Sequence, residues 1–208
     1  MSPRAVSFAL AAALACTTGA ALCADKLPQV GAPMGQLEAF LMYTKNHSIN
    51  EKPLGKSLNK DHAMFYALVA ADQENPQLIA KGLRVELETH DGKKAERLYL
   101  DAEGIAPLLD SIAKFEKNFR TGGTTPEEQK IAGQFEVFPY LNRVPDANNR
   151  DGVVRTVLAV GWMKAVGKEG DLVKLQSART NRTYEFPGMS LEELHEIFSA
   201  ARDFLNSN

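Results

Sequence analysis

The chain has 208 residues, with 24 basic against 26 acidic side chains, a formal net charge of −2, and 44% hydrophobic residues. That length describes a globular chain able to bury a core. The slightly acidic charge argues against a nucleic-acid or anionic-membrane partner, since both select a basic face.

Residues 1–24 read as a secretory signal. Arg4 supplies a charge near the start, residues 6–15 are apolar, and Leu22-Cys23-Ala24 makes a small-residue cleavage site before Asp25. The apolar run is broken by Thr17, Thr18 and Gly19, short of the ~20 residues a membrane span needs. Ala13-Leu14-Ala15-Cys16 resembles a lipobox with its leucine one place late. A soluble exported chain is therefore expected, with a lipid anchor at Cys16 as the alternative. Cleavage after Ala24 removes Arg4 and both cysteines, Cys16 and Cys23, so the remaining 184 residues carry a formal charge of −3 and no thiol. This excludes disulfide staples, thiolate metal sites and cysteine nucleophiles, and it fits a bacterial periplasm.

Residues 25–34 hold Pro28, Gly31 and Pro33 and read as an extended lead-in. Residues 37–43 read as a first strand, and residues 44–62 as a long polar loop. An apolar run follows at 64–71, and a turn at Asp72-Gln73-Glu74-Asn75-Pro76. Leu83, Val85 and Leu87 alternate with Arg84, Glu86 and Glu88, the period of a half-buried strand. Asp91-Gly92 signals a hairpin into a fourth strand at 97–100. Ile105, Leu108, Leu109, Ile112, Phe115 and Phe119 form one stripe of a helix over 102–119, with Pro107 in its first turn. After a linker at 121–132, strands are expected at 134–140, 153–160, 172–176 and 183–186. A last helix then opens on the capping box Ser190-Leu191-Glu192-Glu193.

The plan occurs twice. Gly35-Gln36-Leu37-Glu38-Ala39-Phe40 is echoed by Gly133-Gln134-Phe135-Glu136-Val137-Phe138. Leu68 aligns with Leu158, Leu83 with Val173, Val85 with Leu175, Leu98 with Tyr184, Leu100 with Phe186 and Leu108 with Leu194. The expected fold is α+β: a tandem duplication of a ββββα unit, over 35–120 and 133–208, with antiparallel sheets each covered by one helix. The element order is similar to that of nucleic-acid-binding modules with duplicated β4–α units. Export and net acidity oppose that function here, and fold does not imply function.

No motif names a chemistry. Asn50-Glu51-Lys52-Pro53-Leu54-Gly55-Lys56-Ser57 lacks only the first glycine of a phosphate loop, but no strand leads into it and no helix follows. His47, His62, His90 and His195 make no ligand pair by spacing, although His47 and His62 share the expected long loop. No Gly-x-Ser-x-Gly elbow occurs. No metal or cofactor is expected. The binding candidates are Lys52, Lys56 and Lys60 in the first loop of unit one, and Arg143 and Arg150 in its counterpart at 142–151. Trp162 is an aromatic without an aromatic counterpart, since the repeat aligns it with Asp72. The expectation is a non-enzymatic exported module that binds a protein partner or a small ligand. The alternatives are an exported enzyme with an unrecognised acid–base site and, third, a nucleic-acid binder.

Overall fold

The computed structural model describes residues 33–57, 60–92, 95–121, 135–146, 149–163 and 171–208. The leader with Cys16 and Cys23, nearly all of the lead-in and the linker beyond Thr121 lie outside those residues. The first helix, α1, is Gln36–Tyr43. Four strands follow: β1 (His47–Ser57), β2 (His62–Asp72), β3 (Ile79–Glu88) and β4 (Ala95–Asp101). A short 3-10 turn, Ala102–Gly104, leads into α2 (Ile105–Thr121). The second half holds β5 (Glu136–Asp146), β6 (Asn149–Met163), β7 (Leu172–Ser177), β8 (Arg182–Pro187) and α3 (Leu191–Ser207). Two antiparallel sheets result, in the orders β1-β2-β3-β4 and β5-β6-β7-β8.

Two expectations for the first half fail. Residues 37–43, expected as a strand, are helix α1, and most of the expected loop is strand β1. The physical reason is which face each segment meets. Leu37, Phe40 and Leu41 fall at helical spacing and pack together on Leu68, Ala70 and Tyr66, on the outer face of the first sheet. A side-chain carbon at Gly82 would come within 2.9 Å of Leu37, so the glycine seats that leucine. β1 is an edge strand whose residues 48–53 are exposed on both faces, so it shows no apolar alternation. Histidines 47 and 62 therefore do not cluster. His47 lies opposite Asp72 and His62 begins the same strand β2, about 30 Å away at ~3.3 Å per residue.

The turns of the first sheet and the start of α3 follow the sequence closely. Asn75 and Glu74 donate their N–H groups to the Asp72 carboxylate and close the β2–β3 turn. Gly92 has a φ of 66° in the β3–β4 hairpin. Ser190 Oγ accepts from Glu193 N at 3.0 Å while the Glu193 carboxylate accepts from Ser190 N at 2.7 Å, completing the expected capping box.

The helices are exchanged between the halves. α3 lies on β1, β2 and β3 of the first sheet, with Phe198 edge-on to Phe65 at 6.3 Å and Lys81 Nζ donating to the Leu205 carbonyl at 3.0 Å. α2 lies on β5 of the second sheet, with Phe115 edge-on to Phe138 at 5.6 Å and to Trp162 at 5.3 Å. The two helices also touch each other, so the inner faces of both sheets share one continuous core.

The two ladders match in register. Leu83 faces Leu100 and Val85 faces Leu98, as Val173 faces Phe186 and Leu175 faces Tyr184. The second strands are offset from the sequence alignment. Phe65 faces Val85 as Val160 faces Leu175, whereas Leu68 lies under α1 and Leu158 lies in the main core. Leu108 and Leu194 are 1% and 0% exposed on their helices. Leu108→Ala and Leu194→Ala should each cost about 2–5 kcal/mol in urea unfolding, by lost transfer energy plus cavity. Two near-neutral results would contradict the packing of both helices.

Candidate functional site

Two polar seams hold the halves together and frame the surface left open. At the first seam, the edge of β4 is met by a side chain rather than a strand. Asn142 on β5 accepts from Asp101 N at 2.9 Å and donates Nδ2 to the Tyr99 carbonyl at 3.2 Å and to the Met34 carbonyl at 3.1 Å. The Asp101 carboxylate in turn accepts from Gln36 N at 2.9 Å and Leu37 N at 2.8 Å, capping α1, whose own N-cap Gly35 has no side chain to do so. A side chain at Gly35 would come within 2.3 Å of Asn142 and 2.6 Å of Asp101. Tyr140 Oη donates to the Asp101 carbonyl at 2.6 Å. α1 is also tied to the second half by Glu38, which accepts from Arg179 through both oxygens at 2.6 Å.

At the second seam, Asp61 follows the end of β1 and meets β8. Its backbone N donates to the Glu185 carbonyl at 3.1 Å, and its carboxylate accepts from Glu185 N at 2.7 Å and His90 N at 3.1 Å. Glu185 also binds the ammonium groups of Lys60 and Lys174. Hydrogen bonds from Lys60 and Lys174 hold its carboxyl below the ordinary range.

The sign of each carboxyl follows from its surroundings. Burial pushes the Asp101 carboxyl above its ordinary range, against the pull of the two backbone donors. Its folded form holds a proton more tightly than the unfolded chain does, so acid does not loosen the fold through Asp101. Glu185 is the opposite case, and its contribution is lost as pH falls below its ordinary value of 4.5.

Beside the second seam lies an open groove of about 480 Å³ between β1 and the N-terminal half of α3. Leu54, Gly55, Lys56 and Ser57 form one wall. Glu193, Glu196, Ile197 and Ala200 form the other, with Gly188 and Met189 closing the end. The 3-10 turn before α2 packs closely on β5, where a side chain at Gly104 would lie 2.5 Å from the Leu141 carbonyl and 2.3 Å from the Tyr140 ring. A second hollow of about 310 Å³ opens on the outer face of the first sheet beside His62, Glu88 and Arg97. Its charges are largely used internally: Arg97 pairs with Glu86, His62 lies 3.8 Å from Glu88, and Glu96 accepts from Ser177, Thr180 and Tyr184.

The residues singled out in the sequence are spread over this surface. Lys56 lines the groove. Lys52 is exposed on the same strand, with its ammonium 5.7 Å from the centre of the Phe204 ring. Lys60 pairs with Glu185 at the second seam. Arg143 lies on β5, 3.9 Å from Glu103. Arg150 lies on β6, and its side chain is outside the described residues. The segment at 142–151 forms parts of β5 and β6 rather than an open loop. Trp162 is 5% exposed, with its indole N–H donating to Asp171 at 3.2 Å and its ring in the core. The lysines and arginines thus do not converge on one patch. The sequence reading missed Glu193, Glu196 and Ile197 as groove wall, because only the exchange of α3 onto the first sheet brings them beside β1. It also missed Asp101 and Asn142, which meet across 41 residues of chain.

Among the described residues no three histidine, cysteine or acidic side chains converge as metal ligands, and no helix is long and apolar enough to cross a membrane. No protein-family model matches the chain, and no curated protein matches it.

Asp101→Ala should cost about 1–3 kcal/mol, because it leaves two backbone donors of α1, one of them on the fully buried Leu37, without an acceptor. Amide hydrogen exchange should accelerate first at Gln36 and Leu37. Unchanged protection there would mean that Asp101 does not hold the helix.

Proposed function

We propose that this chain is an exported, non-enzymatic interaction module of the bacterial periplasm, formed by tandem duplication of a ββββα unit, and that it receives a polypeptide partner in the groove between β1 and α3. The matched strand orders and the equal registers of β3–β4 and β7–β8 support the duplication. So do the two seams. By the alignment of the fourth strands Tyr99 corresponds to Glu185, and the backbone of each is held by a side chain from the other half, Asn142 and Asp61 respectively. The exchanged helices fit the same two-fold plan. The leader, the absence of cysteine beyond Cys23 and the acidic balance support the compartment.

The observation that carries the interaction reading is the groove itself. Several charged side chains elsewhere close seams or pair across strands, as in the Glu51, Arg84, Glu86 and Arg97 ladder. In the groove the apolar side chains of Leu54, Met189 and Ile197 line the walls and closed end beside Lys56 and Glu196, which ion-pair with no described residue. An open groove that mixes apolar side chains with unused charge of both signs suits a polypeptide, which offers both.

Photo-crosslinking in the cells that export the protein tests this. A benzophenone side chain at position 56 or 200 should give a discrete protein adduct. One at Asp110, exposed on α2, should not. The recovered chain should begin at Asp25 by intact mass. Equal labelling at all three positions, or none, would contradict the reading. A chain beginning at an acylated Cys16 would contradict the soluble form.

A further inference from the structure

We propose that the groove takes its partner as an added strand: a short, extended, basic-and-apolar segment paired with the free edge of β1. The inference rests on the interaction reading above and specifies how that site would recognise its occupant.

The backbone supplies the first argument. Among the described residues β1 pairs only with β2, so the outward N–H and C=O groups along its other edge have no described strand partner. Such an edge is a template for an incoming strand. Over 50–53 the template is spoiled, because Pro53 has no N–H, a register shift falls between Pro53 and Gly55, and Glu51 and Lys52 are exposed. Beyond that break Gly55, Lys56 and Ser57 resume the regular ladder, and they line the groove. Long edge-to-edge pairing with a second copy of the chain is thereby disfavoured, and a short segment is favoured.

Dimensions agree with this. Three strand residues span about 10 Å at ~3.3 Å each. The facing wall runs from Glu193 to Ala200 on α3, about 10 Å at ~1.5 Å rise per residue. Alternate side chains of an extended segment would turn inward to Leu54, Ile197 and Ala200.

Charge decides the sign of the occupant. The groove has two carboxylates, Glu193 and Glu196, against the single ammonium of Lys56. One Glu193 oxygen is engaged by the backbone of Ser190, while Glu196 is exposed and unengaged among the described residues. A basic side chain beside Glu196, with Lys56 near a carbonyl or an acidic residue of the same segment, satisfies this pattern.

The test is a titration of the amide-labelled mature chain, followed by NMR, with three capped peptides. One alternates lysine and valine, one alternates glutamate and valine, and one is the lysine–valine peptide with N-methylated amides on its pairing edge. The first should shift the amides of residues 54–57 and 193–200 saturably. The second should bind more weakly, and the third should leave 54–57 unshifted. Glu196→Gln, an exposed change, should weaken the first peptide about two- to fivefold with folding unchanged. Lack of response to the lysine–valine peptide, an equal response to the glutamate peptide, or an equal response to the methylated peptide would overturn the proposal. Crosslinks at positions 56 and 200 together with such a result would overturn strand addition alone. Loss of both would remove the interaction reading as well.

Discussion

The structure depends on one constraint: neither sheet can bury its inner face with the helix that follows it in the chain. α2 leaves the first sheet and covers β5, and α3 returns from the second sheet to cover β1, β2 and β3. Phe65, Phe138, Phe198 and Trp162 belong to one core for this reason, and Tyr140 of the second sheet packs against Phe198 at 5.9 Å. Burial of apolar area is the main favourable term in folding, so a core shared in this way couples the halves more strongly than a surface interface would. The same exchange creates the groove, since it brings α3 beside the edge strand β1.

The polar seams are subordinate to that exchange and specify its geometry. Once the sheets are brought together, the exposed edge of β4 would present donors and acceptors with nothing to meet. Asn142 meets two of them with one amide, at 1% exposure. Because every polar group of this node finds a partner, burying it costs little, whereas removing one member leaves the others stranded. The capped end of α1 belongs to the same node, so the small apolar cluster on the outer face of the first sheet is tied to the contact between the halves. The outer face of the second sheet differs. Phe135 lies over Gly161, where a side-chain carbon would come within 1.9 Å of its ring, and it remains 43% exposed.

Legibility of the sequence followed burial. Strands β2, β3, β7 and β8 carry apolar residues on the core face, and their existence was readable from the sequence, although the phase of β2, an unbroken apolar run, was not. The stripes of α2 and α3 and the capping box were equally plain. The failures came where the determining contact is remote. α1 and the start of β5 share the six-residue echo that begins at Gly35 and Gly133, yet one is helix and the other strand. In both, the third residue of the echo, Leu37 or Phe135, packs over a glycine on an outer sheet face. The similar residues thus keep a similar packing task while their backbones differ. Helix α1 also has the distant Asp101 carboxylate as its cap, which no local pattern announces. β1 was missed because an edge strand wet on both faces has no period. The groove was invisible because a helix stripe shows that a face is buried without showing against which sheet.

The most direct test of this account is to make residues 33–121 and 135–208 as separate chains. Each half would then carry a sheet without the helix that covers it. The account predicts that neither half forms a cooperatively unfolding monomer, and that the two together yield a stoichiometric complex with a single unfolding transition. A monomeric half that unfolds cooperatively on its own, with protected amides in all four strands, would contradict the shared core.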